Sequence, residues 1–163
     1  IKDSSVRQQK DDFHVFNNVS DLAMDMLVGL HDKRRNEVYI ASAHMPYLVY
    51  KDGEVQRMKG CKFSVGVTGR GVQKEFAVNK FKLEPNMSFY FFSDGFADQK
   101  TPKKKIKLGR VRLERFIKSN AKETFEEQKR RTTKLFRMLT AHNEQVDDVL
   151  VLGVDFLNQD RPN

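Results

Sequence analysis

The stretch Phe89-Tyr-Phe-Phe-Ser-Asp-Gly-Phe-Ala-Asp98 is the strongest indication of how the chain folds. Its first four residues are bulky and typical of a buried β-strand, because such side chains pack well on a pleated surface. Gly95 then allows the backbone to turn sharply without a steric penalty. The pattern predicts a rigid strand that ends at one carboxylate, Asp94, with a second carboxylate, Asp98, four residues further on.

A second acidic strand is predicted near the end of the sequence. In the stretch Gln145-Val-Asp-Asp-Val-Leu-Val-Leu-Gly-Val154, Asp147 and Asp148 stand at the start of a strong apolar run. Crowded carboxylates repel one another unless a cation or a proton lies between them, and hard divalent cations prefer oxygen ligands. The two strands could therefore bring Asp94 together with Asp147 or Asp148 at one edge of a sheet, an arrangement that suits a divalent cation. For Asp98, a helix-start cap and a weak metal ligand stay equally open.

The composition is that of a single globular domain. The chain has 163 residues, of which 39% are hydrophobic, so a core can be buried. Its apolar runs stay well short of the ~20 residues that span a bilayer, and its polar first residues show no signal peptide. One cysteine, Cys61, excludes an internal disulfide framework and fits a reducing compartment. We expect a cytoplasmic location without membrane contact in this segment.

The charge balance favours anionic partners. The formal net charge is +8, which suits nucleic acid, acidic protein or phosphate. The basic residues gather in three groups, at 103–107, 110–115 and 129–131. A solvated helical face explains such groups more often than a binding patch does. They also lack interleaved aromatic residues that would stack on bases, so no nucleic-acid partner is expected.

The order of the predicted elements indicates an α+β domain with mainly antiparallel sheets. Asp52-Gly53 between apolar segments is a strong hairpin signal, and Thr124 with Glu127 has the form of a helix capping box. Residues 63–67 are predicted to be a short buried piece, and Met24 and Met26 to lie in the core. We expect strands near 24–29, 37–43, 46–50, 54–58, 75–83, 87–93 and 148–156, and helices near 109–119 and 124–139. The domain is placed at residues 23–156, between a poorly defined segment at 1–22 and a tail at 157–163.

Several of these segments, taken in order, resemble one known family. They are Met24-Asp-Met26, Ala41-Ser-Ala-His-Met-Pro-Tyr-Leu48, Asp52-Gly53, Ser64-Val-Gly-Val67, Phe92-Ser-Asp-Gly-Phe-Ala-Asp-Gln99, Gly109 and Glu144-Gln-Val-Asp-Asp-Val-Leu-Val-Leu-Gly153. The series is similar to the SpoIIE-type branch of the metal-dependent, type-2C-like (PPM) serine/threonine protein phosphatases. The resemblance is collinear from about residue 23 to residue 156. It implies a type-2C-phosphatase-like αββα sandwich of mainly antiparallel sheets.

The resemblance also implies roles for the acidic residues. Asp94 and Asp147 match metal-ligand aspartates of the family, and Asp98 matches a carboxylate that helps to hold an additional ion in some relatives. Asp148 is expected to support the ligands rather than to be one. Two Mn²⁺ or Mg²⁺ ions would activate a bridging water to attack phosphoserine or phosphothreonine. A donor to phosphate is one interpretation of His44, but a structural histidine is favoured there.

One departure from the family bears on activity. The family places another ligand aspartate and an Asp-Gly-His type motif upstream of this region, and nothing before Ala23 resembles them. We therefore expect the chain to be the later two-thirds of a phosphatase domain, inactive alone and prone to self-association through exposed apolar edges. The implied partner is a phosphorylated regulatory protein of bacterial signalling, such as an anti-sigma-factor antagonist. Two alternatives stay open, a catalytically silent module that binds a protein partner and, less favoured, a basic nucleic-acid-binding protein.

Overall fold

The computed structural model describes residues 23–66, 75–102, 105–141 and 143–157. The elements are β1 Ala23–Met24, β2 Met26–Asp32, β3 Glu37–Ala43, β4 Tyr47–Lys51, β5 Glu54–Met58, β6 Val65–Gly66, β7 Val78–Lys82, β8 Ser88–Phe92, α1 Asp94–Asp98, α2 Arg110–Asn120, α3 Phe125–Thr140 and β9 Val151–Val154. All pairings between these strands are antiparallel. The predicted α+β class with antiparallel sheets is thus confirmed. None of the helices in the described ranges is long and apolar enough to cross a membrane.

The four-stranded sheet has the order β5-β4-β8-β9 and contains both predicted acidic strands. In its register Phe92 lies opposite Val151, and Phe89 lies opposite Val154. The prediction that residues 87–93 and 148–156 form neighbouring strands is therefore confirmed. Because β8 is internal to this sheet, its side chains pack on both faces, and Phe89 is completely buried.

Two hydrophobic cores lie on opposite faces of the four-stranded sheet. Tyr90 and Phe92 belong to one core together with residues of the three helices, whereas Phe89 belongs to the other, together with Val38 and Ile40 of β3. This division follows from the alternation of side chains along a strand. The three-stranded sheet, of order β2-β3-β7, is therefore joined to the four-stranded sheet through the second core, and the helices are joined to it through the first.

The opposite face of the three-stranded sheet is apolar and exposed. Met26, Val28 and Leu30 of β2 alternate onto it, and Leu30 is 63% exposed. The prediction that Met24 and Met26 lie in the core is wrong for this structure, because they lie where none of the described elements covers them. The hydrophobicity of these side chains predicts that another layer covers them. The residues that the structure describes do not form such a layer.

Three local predictions need correction. The strand predicted near 24–29 extends further, because β2 continues to Asp32, whose carboxylate accepts the backbone N–H groups of Arg34 and Arg35. The turn predicted after Ser93 is the short helix α1. The piece at 63–67 is exposed in its described part, which includes β6. Val67, the predicted segment at 1–22 and all of the predicted tail at 157–163 except Leu157 lie outside the described residues.

The N-terminus of α3 follows only half of the predicted capping box. The hydroxyl of Thr124 accepts the backbone N–H of Glu127 at 3.3 Å, as a cap does. The side chain of Glu127 turns instead to Arg130 and Arg131, at 2.7 and 2.5 Å. The guanidinium of Arg130, followed by that of Arg131, lowers the pKa of the Glu127 carboxyl to about 2. Thr124 is therefore the residue that satisfies the first turn of the helix.

Replacing Thr124 by Ala should lower the free energy of unfolding by about 1 kcal/mol, because a backbone N–H of the first turn loses its acceptor. Urea unfolding monitored by circular dichroism gives the measurement. Thr133→Ala, at an exposed site within α3, is the matched control and should change stability by less than about 0.5 kcal/mol. Equal effects of the two substitutions would show that the cap is not what Thr124 contributes.

Candidate metal-binding site

The residue that follows β8 is hydrogen-bonded to the segment that leads into β9. The backbone N–H of Ser93 donates to the carbonyl oxygen of Leu150 at 3.1 Å. The hydroxyl of Ser93 donates to the carbonyl oxygen of Asp148 and accepts the N–H of Leu150, both at 2.9 Å. Three hydrogen bonds from one residue therefore fix the start of α1 against residues 148–150.

Gly95 allows an unusually close approach at this junction. A Cβ atom built on Gly95 would collide with the carbonyl oxygen of Asp148 and would lie 3.0 Å from that residue's carbonyl carbon and 3.2 Å from the carbonyl carbon of Asp147. The sequence suggested that glycine was needed here for a sharp turn. Gly95 is instead helical, as the second residue of α1, and its missing side chain provides space. The backbones that carry Asp94 and Asp147 are thereby held in contact.

The three predicted ligand carboxylates differ in exposure and in their hydrogen-bond partners. Asp94 is exposed, and its carboxylate makes no hydrogen bond or ion pair with another described residue. Asp147 is also exposed, and its Oδ1 accepts the backbone N–H of Asp148 at 2.7 Å. Asp98 is half-buried at the end of α1 and forms an ion pair with Lys107, with 2.6 Å between Nζ and Oδ2.

These donors fit part of a metal site. Asp94 and Asp147 offer accessible, hard oxygen atoms on segments that touch, which suits Mg²⁺ or Mn²⁺. The carboxylate of Asp98 would have to bind an ion while it also pairs with Lys107, or give up that ion pair. No group of three His, Cys, Asp or Glu side chains suited to a metal ion occurs among the described residues. Further oxygen ligands, from protein or water, are therefore needed to complete a site around Asp94 and Asp147.

A second polar cluster was not assigned from the sequence. Asp25 lies between β1 and β2, and its Oδ1 accepts the hydroxyl of Ser64 at 2.6 Å. Its Oδ2 lies 3.1 Å from Nδ1 of His44. These three residues, here named the Asp25 cluster, occur in three segments that carried the family resemblance. No single sequence motif contains these residues. They are brought together by the pairing of β1 with β6 and by the bend that follows β3.

The pKa of Asp25 is affected by its two hydrogen-bond partners and by the charge of Arg110. The hydrogen bond from Ser64 lowers the pKa of the Asp25 carboxyl, with further lowering by His44 and by the positive charge of Arg110. Arg110 is the first residue of α2, and the preceding Gly109 donates its N–H to the carbonyl oxygen of Ala97 in α1 at 2.8 Å. The start of α2 is therefore hydrogen-bonded to α1, and the charge of its first residue acts on Asp25.

Solved structures with the same fold define the class of this domain. The SiaA-PP2C domain of Pseudomonas aeruginosa matches with a TM-score of 0.72 and 25% identity, over 89% of this chain and 57% of that one. The phosphatase domain of the cell fate determinant SpoIIE from Bacillus subtilis matches with a TM-score of 0.58 and 12% identity, over 85% and 59%. The RsbU and RsbW domains of Rv1364c from Mycobacterium tuberculosis match with a TM-score of 0.57 and 20% identity, over 88% and 38%. The fold is that of PP2C-type phosphatase domains.

The family follows from the sequence itself. The family model described as Stage II sporulation protein E (SpoIIE) matches residues 5–157. The chain therefore belongs to the SpoIIE family, as the motif order indicated. It spans less than three fifths of the SiaA and SpoIIE chains that it matches in structure. No curated protein matches the sequence significantly.

Proposed function

We propose that the chain is part of a metal-dependent serine/threonine phosphoprotein phosphatase of bacterial signalling that acts in the cytoplasm on a phosphorylated regulatory protein. The observation that carries this proposal is the junction at which Ser93 and Gly95 hold the backbones of Asp94 and Asp147 together. Membership of the SpoIIE family and the PP2C fold support it. An anti-sigma-factor antagonist is the kind of substrate that we infer from the family.

In this proposal Asp94 and Asp147 hold Mn²⁺ or Mg²⁺. When bound, such ions lower the pKa of a water ligand and neutralise charge on the transferring phosphoryl group. Ser93 keeps the two segments in register, so that the carboxylates are positioned before substrate arrives. Asp98 is proposed as a ligand of an additional ion, for which it exchanges or shares its contact with Lys107.

The decisive experiment compares two proteins with and without Mn²⁺. One is the chain of 163 residues, and the other is a longer form that includes any residues that the natural protein carries before Ile1. Phosphate release from a phosphoserine protein should be strong and metal-dependent for the longer protein, and weak or absent for the shorter one. The reason is that Asp94, Asp98 and Asp147 supply too few oxygen ligands for two ions, which take about six each.

Either of two results would change the proposal. Strong metal-dependent turnover by the shorter protein would mean that the site has been misplaced, since its ligands would all lie within residues 1–163. An inactive longer protein would favour a silent phosphatase-like module that binds a protein partner. The absence of a three-ligand group among the described residues is the observation that keeps this second candidate open.

Nucleic-acid binding gains little support from the basic residues. Lys107 is paired with Asp98, and Arg131 is paired with Glu123 and Glu127, so part of the positive charge is used within the domain. Nucleic-acid binding that weakens steeply with rising salt concentration would favour this function.

Self-association is proposed through the exposed apolar face of β2 described above, which suits burial against another surface.

A further inference from the structure

A cavity of about 420 Å³ lies on the helix side of the four-stranded sheet and is bounded by α2, α3 and β9. Small-molecule sites in proteins occupy about 300–1,000 Å³. Two pairs of aromatic rings form much of the wall. The ring centroids of Phe96 and Phe136 are 5.5 Å apart, and those of Tyr90 and Phe125 are 6.5 Å apart. The interior is therefore apolar and has the size of a ligand site.

Gly153 of β9 sets the position of the ring at one edge of the cavity. A Cβ atom built on Gly153 would lie 2.8 Å from Cε1 of Phe125 and 3.4 Å from Cε1 of Tyr90. A larger residue at 153 would therefore displace the Phe125 ring. Phe125 is nevertheless 39% exposed, so part of this ring remains available to a molecule that enters the cavity.

The packing around the cavity leaves one polar group unsatisfied. Tyr90 is 3% exposed, and its hydroxyl has no hydrogen-bond partner among the described residues, although the side chains of Gln128 and Ser88 are near it. A buried hydroxyl without a partner costs free energy. Phe136 of α3, on the opposite wall, is only half-buried. The helix-side core is therefore incompletely packed between α3 and the sheet.

The only charge among the described residues that line the cavity is positive. Lys129 lines it, is exposed and makes no ion pair with another described residue. The next two residues, Arg130 and Arg131, are both paired with Glu127. No Asp or Glu is among the described lining residues. An anion beside Lys129 would gain a charge-assisted contact, so the cavity complements a molecule with an apolar body and a negative end.

The size of the cavity favours a small molecule over an element of a partner protein. An α-helix with its side chains is about 10–12 Å across and rises about 5.4 Å per turn. A volume of about 420 Å³ would therefore hold only about one turn of such a helix. A single alkyl chain or aromatic ring is narrower, and it can lie between the two aromatic pairs.

We propose that this cavity binds a small amphipathic carboxylate, with its apolar body between the two aromatic pairs and its carboxylate at Lys129. The site is separate from the proposed chemistry and does not depend on it. Phe96 lies two residues after Asp94, and Val149 lies two residues after Asp147, and both line the cavity. A bound molecule therefore contacts both segments of the junction between β8 and β9, and it stabilises the folded chain by binding to it.

The test is calorimetric titration of the 163-residue chain with octanoate and decanoate, each below its micellar concentration. Decanoate should bind about tenfold more tightly than octanoate, because two more methylene groups are buried. Decyltrimethylammonium has an alkyl chain of the same length and the opposite charge, and it should bind at least about tenfold more weakly than decanoate. Absence of decanoate binding, or equal binding of the two decyl compounds, would overturn the proposal.

Four variants show whether decanoate binds in the cavity or on another apolar surface. Thr132→Phe places a ring in the cavity and should weaken binding by about tenfold or more. Lys129→Met removes the cation at an exposed position, where folding is not at risk, and should weaken binding by about fivefold. Lys134→Met, elsewhere on α3, and Val28→Thr, on the exposed face of β2, are the matched controls and should stay within about twofold of wild type.

The pattern across these variants decides the location. Circular dichroism establishes that each variant is folded before its affinity is compared. Wild-type affinity in both Thr132→Phe and Lys129→Met would show that decanoate does not occupy the cavity. A loss in Val28→Thr as large as that in Lys129→Met would place the ligand on the face of β2 instead. Either result would overturn the assignment of this cavity as an anion-binding site.

Discussion

In the longer, active protein described under Proposed function, replacing Asp94 or Asp147 by Asn is expected to lower Mn²⁺-dependent hydrolysis of a phosphoserine protein by about a thousandfold or more, since the charge that holds the ion and stabilises the transition state is lost. The substitution keeps the size of each side chain. It also leaves an oxygen at residue 147 that can accept the N–H of Asp148. Stability should change by less than about 0.5 kcal/mol, because both side chains are exposed.

The measurement is kcat at saturating substrate over a titration with Mn²⁺, together with calorimetric titration of the metal itself. Asp52→Asn is the matched control. Asp52 is a hairpin residue with φ of +52°, a conformation that asparagine also accepts, and the change should leave activity and metal affinity intact. If Asp94→Asn or Asp147→Asn binds Mn²⁺ and turns over like the control, these residues are not ligands and the proposed chemistry loses its basis.

The architecture around these aspartates was predictable because its signals are local. The run of bulky residues at 89–92, the hairpin at Asp52-Gly53 and the Thr124 cap each need only a few neighbouring residues, and each predicted feature is present in the structure. The pairing of β8 with β9 was also anticipated, since both strands are apolar and the family resemblance set their order. These features depend on the two-residue alternation of side chains in a strand and on the residue types that favour turns, both of which can be read directly from a sequence.

What the sequence did not predict depends on contacts between distant segments. Residues 93–98 begin with a turn-forming Ser-Asp-Gly, yet Phe96 and Ala97 are buried in the core on the helix side of the sheet and the chain is helical from Asp94. The ion pair of Asp98 with Lys107 and the Asp25 cluster likewise join residues from separate elements. The exposure of Met26 shows the same limit, because hydropathy predicts that a face is covered without identifying the covering layer.

Gly95→Ala is expected to be the most destabilising single substitution at the junction of β8 with the segment before β9. The added methyl group would meet the backbone of Asp148 rather than a flexible side chain, and neither segment is free to move. Ser93 ties the two together through three hydrogen bonds. Forcing a methyl group into a packed site typically costs about 1–3 kcal/mol, and we expect the loss to lie at the upper end of that range.

Gly29→Ala is the matched control for this change. Gly29 lies in β2, and a Cβ atom at that position has no other atom within 4 Å, so the control should be neutral or stabilising by up to about 1 kcal/mol. Urea unfolding of both variants gives the difference in stability. If the added methyl group instead separates the two backbones, Gly95→Ala should also weaken Mn²⁺ binding, because Asp94 and Asp147 move apart. Wild-type stability and metal affinity in Gly95→Ala would show that the close approach at residue 95 does not hold the two aspartates together.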